Sequence, residues 1–92
     1  MPWYTFERND SPEGVLASKD LGTDVLNALQ EIVSDGHPLQ FDHTQMKQIF
    51  RDGDTEKVIL QVEGPPSIHW PGEVGNYFSR RGVRFYAASE RE

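Results

Sequence analysis

The side chains best suited to chemistry are three histidines, His37, His43 and His69, and the arginines Arg80, Arg81 and Arg84. His69 as a general base, with one of the arginines as an anion clamp, is the smallest set that could work on an anionic substrate. Ser67 lies two residues before His69, but strand-like spacing does not by itself bring a hydroxyl onto an imidazole. No third group that would orient the histidine is identifiable, so no catalytic residue is assigned. The histidines are six and twenty-six residues apart and the chain has no cysteine, so no metal-ligand spacing occurs. "DGDTE" carries alternating carboxylates, yet its glycine directly follows the first aspartate and no late glutamate completes a calcium loop. It reads as a hairpin turn. No metal and no cofactor are expected.

The stretch "GPPSIHWPGE", residues 64–73, holds His69 and Trp70 between prolines and glycines. Such a segment can be neither the inside of a helix nor a central strand. Two roles compete for it. His69 and Trp70 could form a proline-stiffened anchor for a partner, already ordered and so cheap to bind. Alternatively, Trp70 could fold back with Ile68 onto the first turn of the following helix and close the core, and the expectation favours this closure. Arg80 and Arg81 offer an anion clamp, but helix-end and ion-pair roles are simpler in a chain with 15 acidic residues.

The elements that must position these residues fit in one domain, since 92 residues support a single modest core. The first ten residues do not read as a signal peptide, and the longest apolar run, Val58-Ile59-Leu60, is far too short for a membrane span. A soluble protein of the reducing cytoplasm is expected, because the chain contains no cysteine. The formal charge of −6 is uneven: residues 1–79 hold 13 acids against 5 Lys/Arg, and residues 80–92 hold four arginines against two glutamates. An acidic surface argues against general nucleic-acid binding, which draws most of its energy from neutralised phosphates. It favours encounter with a basic partner.

"WYTFER" alternates as a strand, with Tyr4 and Phe6 on one face and Trp3, Thr5 and Glu7 on the other. "NDSPEG" is turn chemistry, and "VLAS" is expected to pair back on the first strand. A helix is predicted between about Lys19 and Ser34, its apolar stripe being Leu21, Val25, Leu29 and Ile32, widened by Leu26 and Val33. Asp24, Asn27 and Gln30 should meet water. Gly36 and Pro38 are the stop. Residues 42–51 admit a helix capped by Asp42, but Asp52-Gly53 ahead of the alternating Val58, Leu60 and Val62 favours a hairpin whose second arm is a central strand. A short helix from Pro71 to Arg81 with Val74, Tyr77 and Phe78 inward, stopped by Gly82, leads into a last strand, "VRFYAA".

The order β, α, β, β, α, β is that of an α+β domain of the ferredoxin-like (split βαβ) type, an antiparallel sheet with two helices on one face. Tyr4, Phe6, Val58, Leu60, Val62, Val83 and Phe85 then meet the helices. Trp3, Thr5, Ile59, Gln61, Arg84 and Tyr86 share the open face. Aromatic and aliphatic side chains on an uncovered face form a patch that a monomer rarely leaves bare. The expected function is therefore macromolecular binding, as a non-catalytic regulator or inhibitor-like protein, with a protein partner or a second copy on Trp3, Thr5, Ile59, Arg84 and Tyr86. "RRGVRFYAA" has a passing likeness to the aromatic strand motif of RNA-recognition domains, but it lacks that motif's small residue between the aromatics. The competing function is a small-molecule-binding or catalytic dimer with a pocket near His69 and the C-terminal arginines.

Overall fold

The computed structural model describes residues 2–9, 15–67 and 69–87. Five antiparallel strands and three short-to-medium helices make an α+β fold: β1 (Trp3–Arg8), α1 (Leu21–Ser34), β2 (Gln40–Phe41), β3 (Lys47–Arg51), β4 (Asp54–Glu63), α2 (Trp70–Glu73), α3 (Gly75–Ser79) and β5 (Val83–Ala87). β4 and β1 are central, β5 lies on the free side of β1, and β2 and β3 share the far edge of β4. Among the described residues, no helix is long and apolar enough to cross a membrane.

α1 begins where Asp20 takes the cap, its side chain accepting from the Gly22 amide at 3.2 Å and from the Thr23 hydroxyl at 2.7 Å. It ends at Gly36, whose φ of 97° lets the chain turn away. Its inward face is Leu21, Val25, Ala28, Leu29 and Ile32. Val33, expected on that stripe, is 44% exposed, so the buried face is rotated toward Ala28. Asp24 departs further from expectation. It is only 1% exposed rather than facing water, because Arg8 of β1 and the Ser18 amide supply the donors that its buried carboxylate needs.

The ambiguous stretch before the hairpin contains both of its possible structures. Asp42 accepts from the Thr44 amide at 3.0 Å and from its hydroxyl at 2.6 Å, closing one 3-10 turn over His43–Gln45. Strand geometry resumes at Lys47, so the first arm of the hairpin is interrupted and the edge is built from two short strands. Asp52 and Gly53 both take positive φ, 54° and 86°, as a tight two-residue hairpin turn requires. "VLAS" does not pair as a strand: Val15 and Leu16 form a turn, and the Leu16 amide donates to the Arg80 carbonyl. Residues 10–14 of the preceding turn signal lie outside the described residues, as does Ile68.

The helix expected from Pro71 to Arg81 is broken in two at Val74, whose φ of −115° and ψ of 8° leave helical geometry. Gly75, a poor helix former, follows the break. Gly82 ends the segment with φ 66°. Val74 and Phe78 still point inward, joining Tyr4, Phe6, Val58, Leu60, Val62 and Val83 in one core cluster with the α1 face. Trp70 belongs to it too. It is 6% exposed, lies edge-on to Tyr4 with centroids 4.9 Å apart and stacks on Phe85 at 5.9 Å. Gly64 makes room for it: a Cβ there would stand 2.3 Å from Trp70 Cγ.

Candidate functional site

The strand registers place the expected open-face residues side by side. Trp3 lies opposite Gln61, and Thr5 lies between Ile59 on one neighbour and Tyr86 on the other. The next row runs Lys57, Glu7, Arg84. These side chains alternate with the core residues Tyr4, Phe6, Val58 and Leu60, so they project from the face away from the core. Trp3 and Ile59 are half-buried among their neighbours and Tyr86 is 44% exposed.

Three residues absent from the sequence expectation also stand on this face. β3 pairs with β4 through a register shift at Ile49/Phe50, after which Ile49 lies opposite Lys57 and Lys47 opposite Ile59. The shift turns Lys47 and Ile49 to the same side as Trp3 and Ile59, and Lys57 joins them from β4. Lys47 Nζ sits 4.8 Å from the Trp3 ring centroid, a cation–π contact of about 0.5–1 kcal/mol at such an exposed site. Glu7 is held between two cations, Arg84 Nη2 at 3.0 Å and Lys57 Nζ at 3.8 Å. Counting residues back from the Asp52-Gly53 turn would have missed this, because the bulge adds a residue on β4.

Thr5 is the polar centre of the face. It is 1% exposed, and its Oγ1 is buried with no hydrogen-bond partner among the described residues. A buried hydroxyl left unpaired costs about 1–3 kcal/mol.

The loop candidates separate. Trp70 is committed to the core, while His69 is exposed and serves as the cap residue of α2, its carbonyl accepting from Gly72 and Glu73. The clamp candidates Arg80 and Arg81 converge on one carboxylate: Arg80 Nη2 is 3.0 Å from Glu31 Oε1, and Arg81 Nη2 is 2.7 Å from Glu31 Oε2. The clamp is filled by α1 itself. Beside it the Tyr77 hydroxyl donates to Asp35 at 2.7 Å, with Arg80 stacked over the Tyr77 ring. Arg84 belongs to the sheet face rather than to this cluster.

Two grooves flank β2. One of about 520 Å³ runs between α1 and β2 and is lined by Gln30, Val33, Ser34, Leu39, Gln40 and Phe41. The other, of about 370 Å³, lies over Pro38, Gln40, Glu63, Gly64, Pro65 and Pro66. Neither is lined by His69, by an arginine or by another expected site residue. Among the described residues, no group of three His, Asp or Glu side chains is placed to hold a metal ion.

No family model, curated protein or solved structure matches this chain. Any functional reading therefore rests on the surface itself.

Proposed function

We propose that the protein works by binding another macromolecule through the face of its sheet opposite the core, without catalysing a reaction. The observation that carries this reading is the adjacency of Trp3, Ile59 and Tyr86 around the buried, unpartnered Thr5 hydroxyl, on the side of the sheet opposite the core. Aromatic side chains and arginine supply most of the energy in protein interfaces, and Arg84 borders the patch. The commitment of Arg80 and Arg81 to Glu31 weakens the competing reading of an anionic small-molecule pocket, because a ligand there would first have to displace an internal carboxylate. The partner is a protein, either a second copy or another chain, in a cytoplasmic setting that suits a sequence without disulfides.

The same proposal includes the ferredoxin-like, split βαβ architecture. It is supported if β2 and β3 are taken as one interrupted strand and α2 and α3 as one interrupted helix, giving the order (β2, β3)–β4–β1–β5. That architecture hosts many unrelated functions and does not name the partner.

Capture from the source cell with the wild-type chain and with a Trp3→Ala/Tyr86→Ala variant tests the reading. A protein recovered by the first and lost by the second, at an unchanged thermal midpoint, is the expected result. Equal recovery by both overturns it.

A further inference from the structure

β5 is an edge strand, and the direction of its free main-chain groups follows from one hydrogen bond. The Asn9 amide donates to the Gly82 carbonyl at 2.7 Å. Bonded pairs recur at every second residue of an antiparallel ladder, so Glu7 with Arg84 and Thr5 with Tyr86 exchange the bonds between β1 and β5. The amides and carbonyls of Val83, Phe85 and Ala87 therefore point away from β1, where no strand pairs with β5 among the described residues. The opposite edge of the sheet is guarded: β2 is two residues long, and β3 is bulged at Ile49/Phe50 and begins and ends with the cations Lys47 and Arg51. β5 has an unbroken register and neither proline nor lysine. Its one charge, Arg84, is drawn back over the sheet to Glu7 at 3.0 Å. Phe85 touches the rings of Tyr4, Phe6, Trp70 and Phe78, yet it stays half-buried because it stands at the rim. We propose that β5 pairs antiparallel with β5 of a second copy across a two-fold axis at Phe85, joining the two sheets into one.

Self-complementarity selects both the second copy and this register. With Phe85 on the axis, Val83 lies opposite the partner's Ala87, so all three outward-facing residues exchange main-chain bonds. On the face away from the core, Arg84 meets the partner's Tyr86 and Tyr86 meets the partner's Arg84, so one pair of positions makes two cation–aromatic contacts. On the core side, Phe85 packs against the partner's Phe85 and closes the half-exposed flank of the aromatic cluster. An axis at Arg84 would set that guanidinium directly against its copy, and like charges directly opposite destabilise a strand pair. An axis at Tyr86 would carry Arg84 past the end of the strand and leave Val83 without a bonded partner. The pairing goes beyond the reading of the sheet face as a binding surface: it uses the edge and leaves Trp3 and Ile59 to another chain.

Sedimentation velocity of the 92-residue chain from micromolar to near-millimolar concentration tests the pairing. Two variants accompany it, each checked by thermal melt at the lowest concentration. Ala87→Pro removes one outward amide and none of the bonds to β1, and Tyr86→Lys sets a like charge against the partner's Arg84. The wild type should pass from monomer to dimer, and each variant should weaken the dimer about tenfold or more at an unchanged midpoint. The register has its own readout, because the chain contains no cysteine. Arg84→Cys chains mixed with Tyr86→Cys chains should cross-link to each other on oxidation faster than either does with itself. Should either charge or proline variant lower the midpoint, this cross-linking decides. A wild type that stays monomeric throughout overturns the proposal. So does a dimer that survives both variants, or cross-linking of either cysteine chain mainly to itself. A dimer lost with Trp3→Ala but kept in Ala87→Pro overturns the edge pairing and leaves the sheet face as the binding surface.

Discussion

Arg8 Nη1 lies 2.6 Å from Asp24 Oδ2, joining the end of β1 to the first turns of α1 through an ion pair whose acidic half is buried. The same carboxylate accepts from the Ser18 amide at 2.9 Å, and the same guanidinium donates to the carbonyls of Ser18 and Arg81. One pair thus ties the segment before α1, the first strand and the turn before β5. The partners are unequal, since the Arg8 side chain is 35% exposed and Asp24 is 1% exposed. Removing the arginine strands a buried charge, whereas removing the carboxylate frees a cation that can reach water. Arg8→Ala should cost about 3 kcal/mol or more and Asp24→Asn clearly less. Denaturant melts of the two variants check the order; equal losses would mean that the carboxylate is as well solvated as the guanidinium.

α1 gives a contrast within two residues. Leu29 is fully buried, whereas Asn27 faces solvent. Leu29→Ala should cost about 2–5 kcal/mol and Asn27→Ala should stay within about 0.5 kcal/mol. Indistinguishable midpoints would place the wrong face of α1 against the sheet.

Trp70 closes the core between Tyr4 and Phe85. In a Trp3→Phe background, its fluorescence should be blue-shifted and shielded from an aqueous quencher, and Trp70→Ala should cost roughly 3–5 kcal/mol. Gly64→Ala offers an independent check, because the added methyl collides with the indole and should cost about 1–3 kcal/mol or more. A freely quenched Trp70 would return it to the exposed loop beside His69.

Tyr77 and Tyr4 set the alkaline limit. The hydrogen bond that Tyr77 donates to Asp35, helped by desolvation and by the negative charge of Asp35, raises the phenol pKa above its ordinary value. Burial raises that of Tyr4, with a hydrogen bond from Trp70 opposing it. Both folded values exceed the unfolded one, so the stability these groups contribute is complete below about pH 10 and is lost as pH climbs through the folded pKa values. Ultraviolet titration should show two late-ionising tyrosines, with Tyr77→Phe removing one. A Tyr77 that ionises with free tyrosine would show that its bond to Asp35 does not persist in solution.

Much of this architecture was legible because periodicity is local. The step of four between Leu21, Val25 and Leu29 and the alternation of Val58, Leu60 and Val62 each dictate which side of one element is apolar, and both sets are in the core. Turn chemistry was legible for the same reason: Asp52-Gly53 needs only its own backbone angles. What local pattern could not reach is pairing across the chain. Asp24 looks like a solvent residue until Arg8, sixteen positions away, is brought to it. Glu31 looks free until Arg80 and Arg81 fold onto it.

The candidate surface divides along the same line. The faces of Trp3, Thr5 and Tyr86 follow from strand alternation alone, whereas the unpartnered state of the Thr5 hydroxyl depends on what its neighbours bring. The placement of Lys47 and Ile49 depends on a bulge, which costs one residue of register and no recognisable sequence signal. Because strand side chains alternate with period two, that single residue decides which side of the sheet each one joins. Composition determined that the protein is acidic; only the tertiary pairing of β3 with β4 brought Lys47 and Ile49 onto the face that carries Trp3 and Ile59.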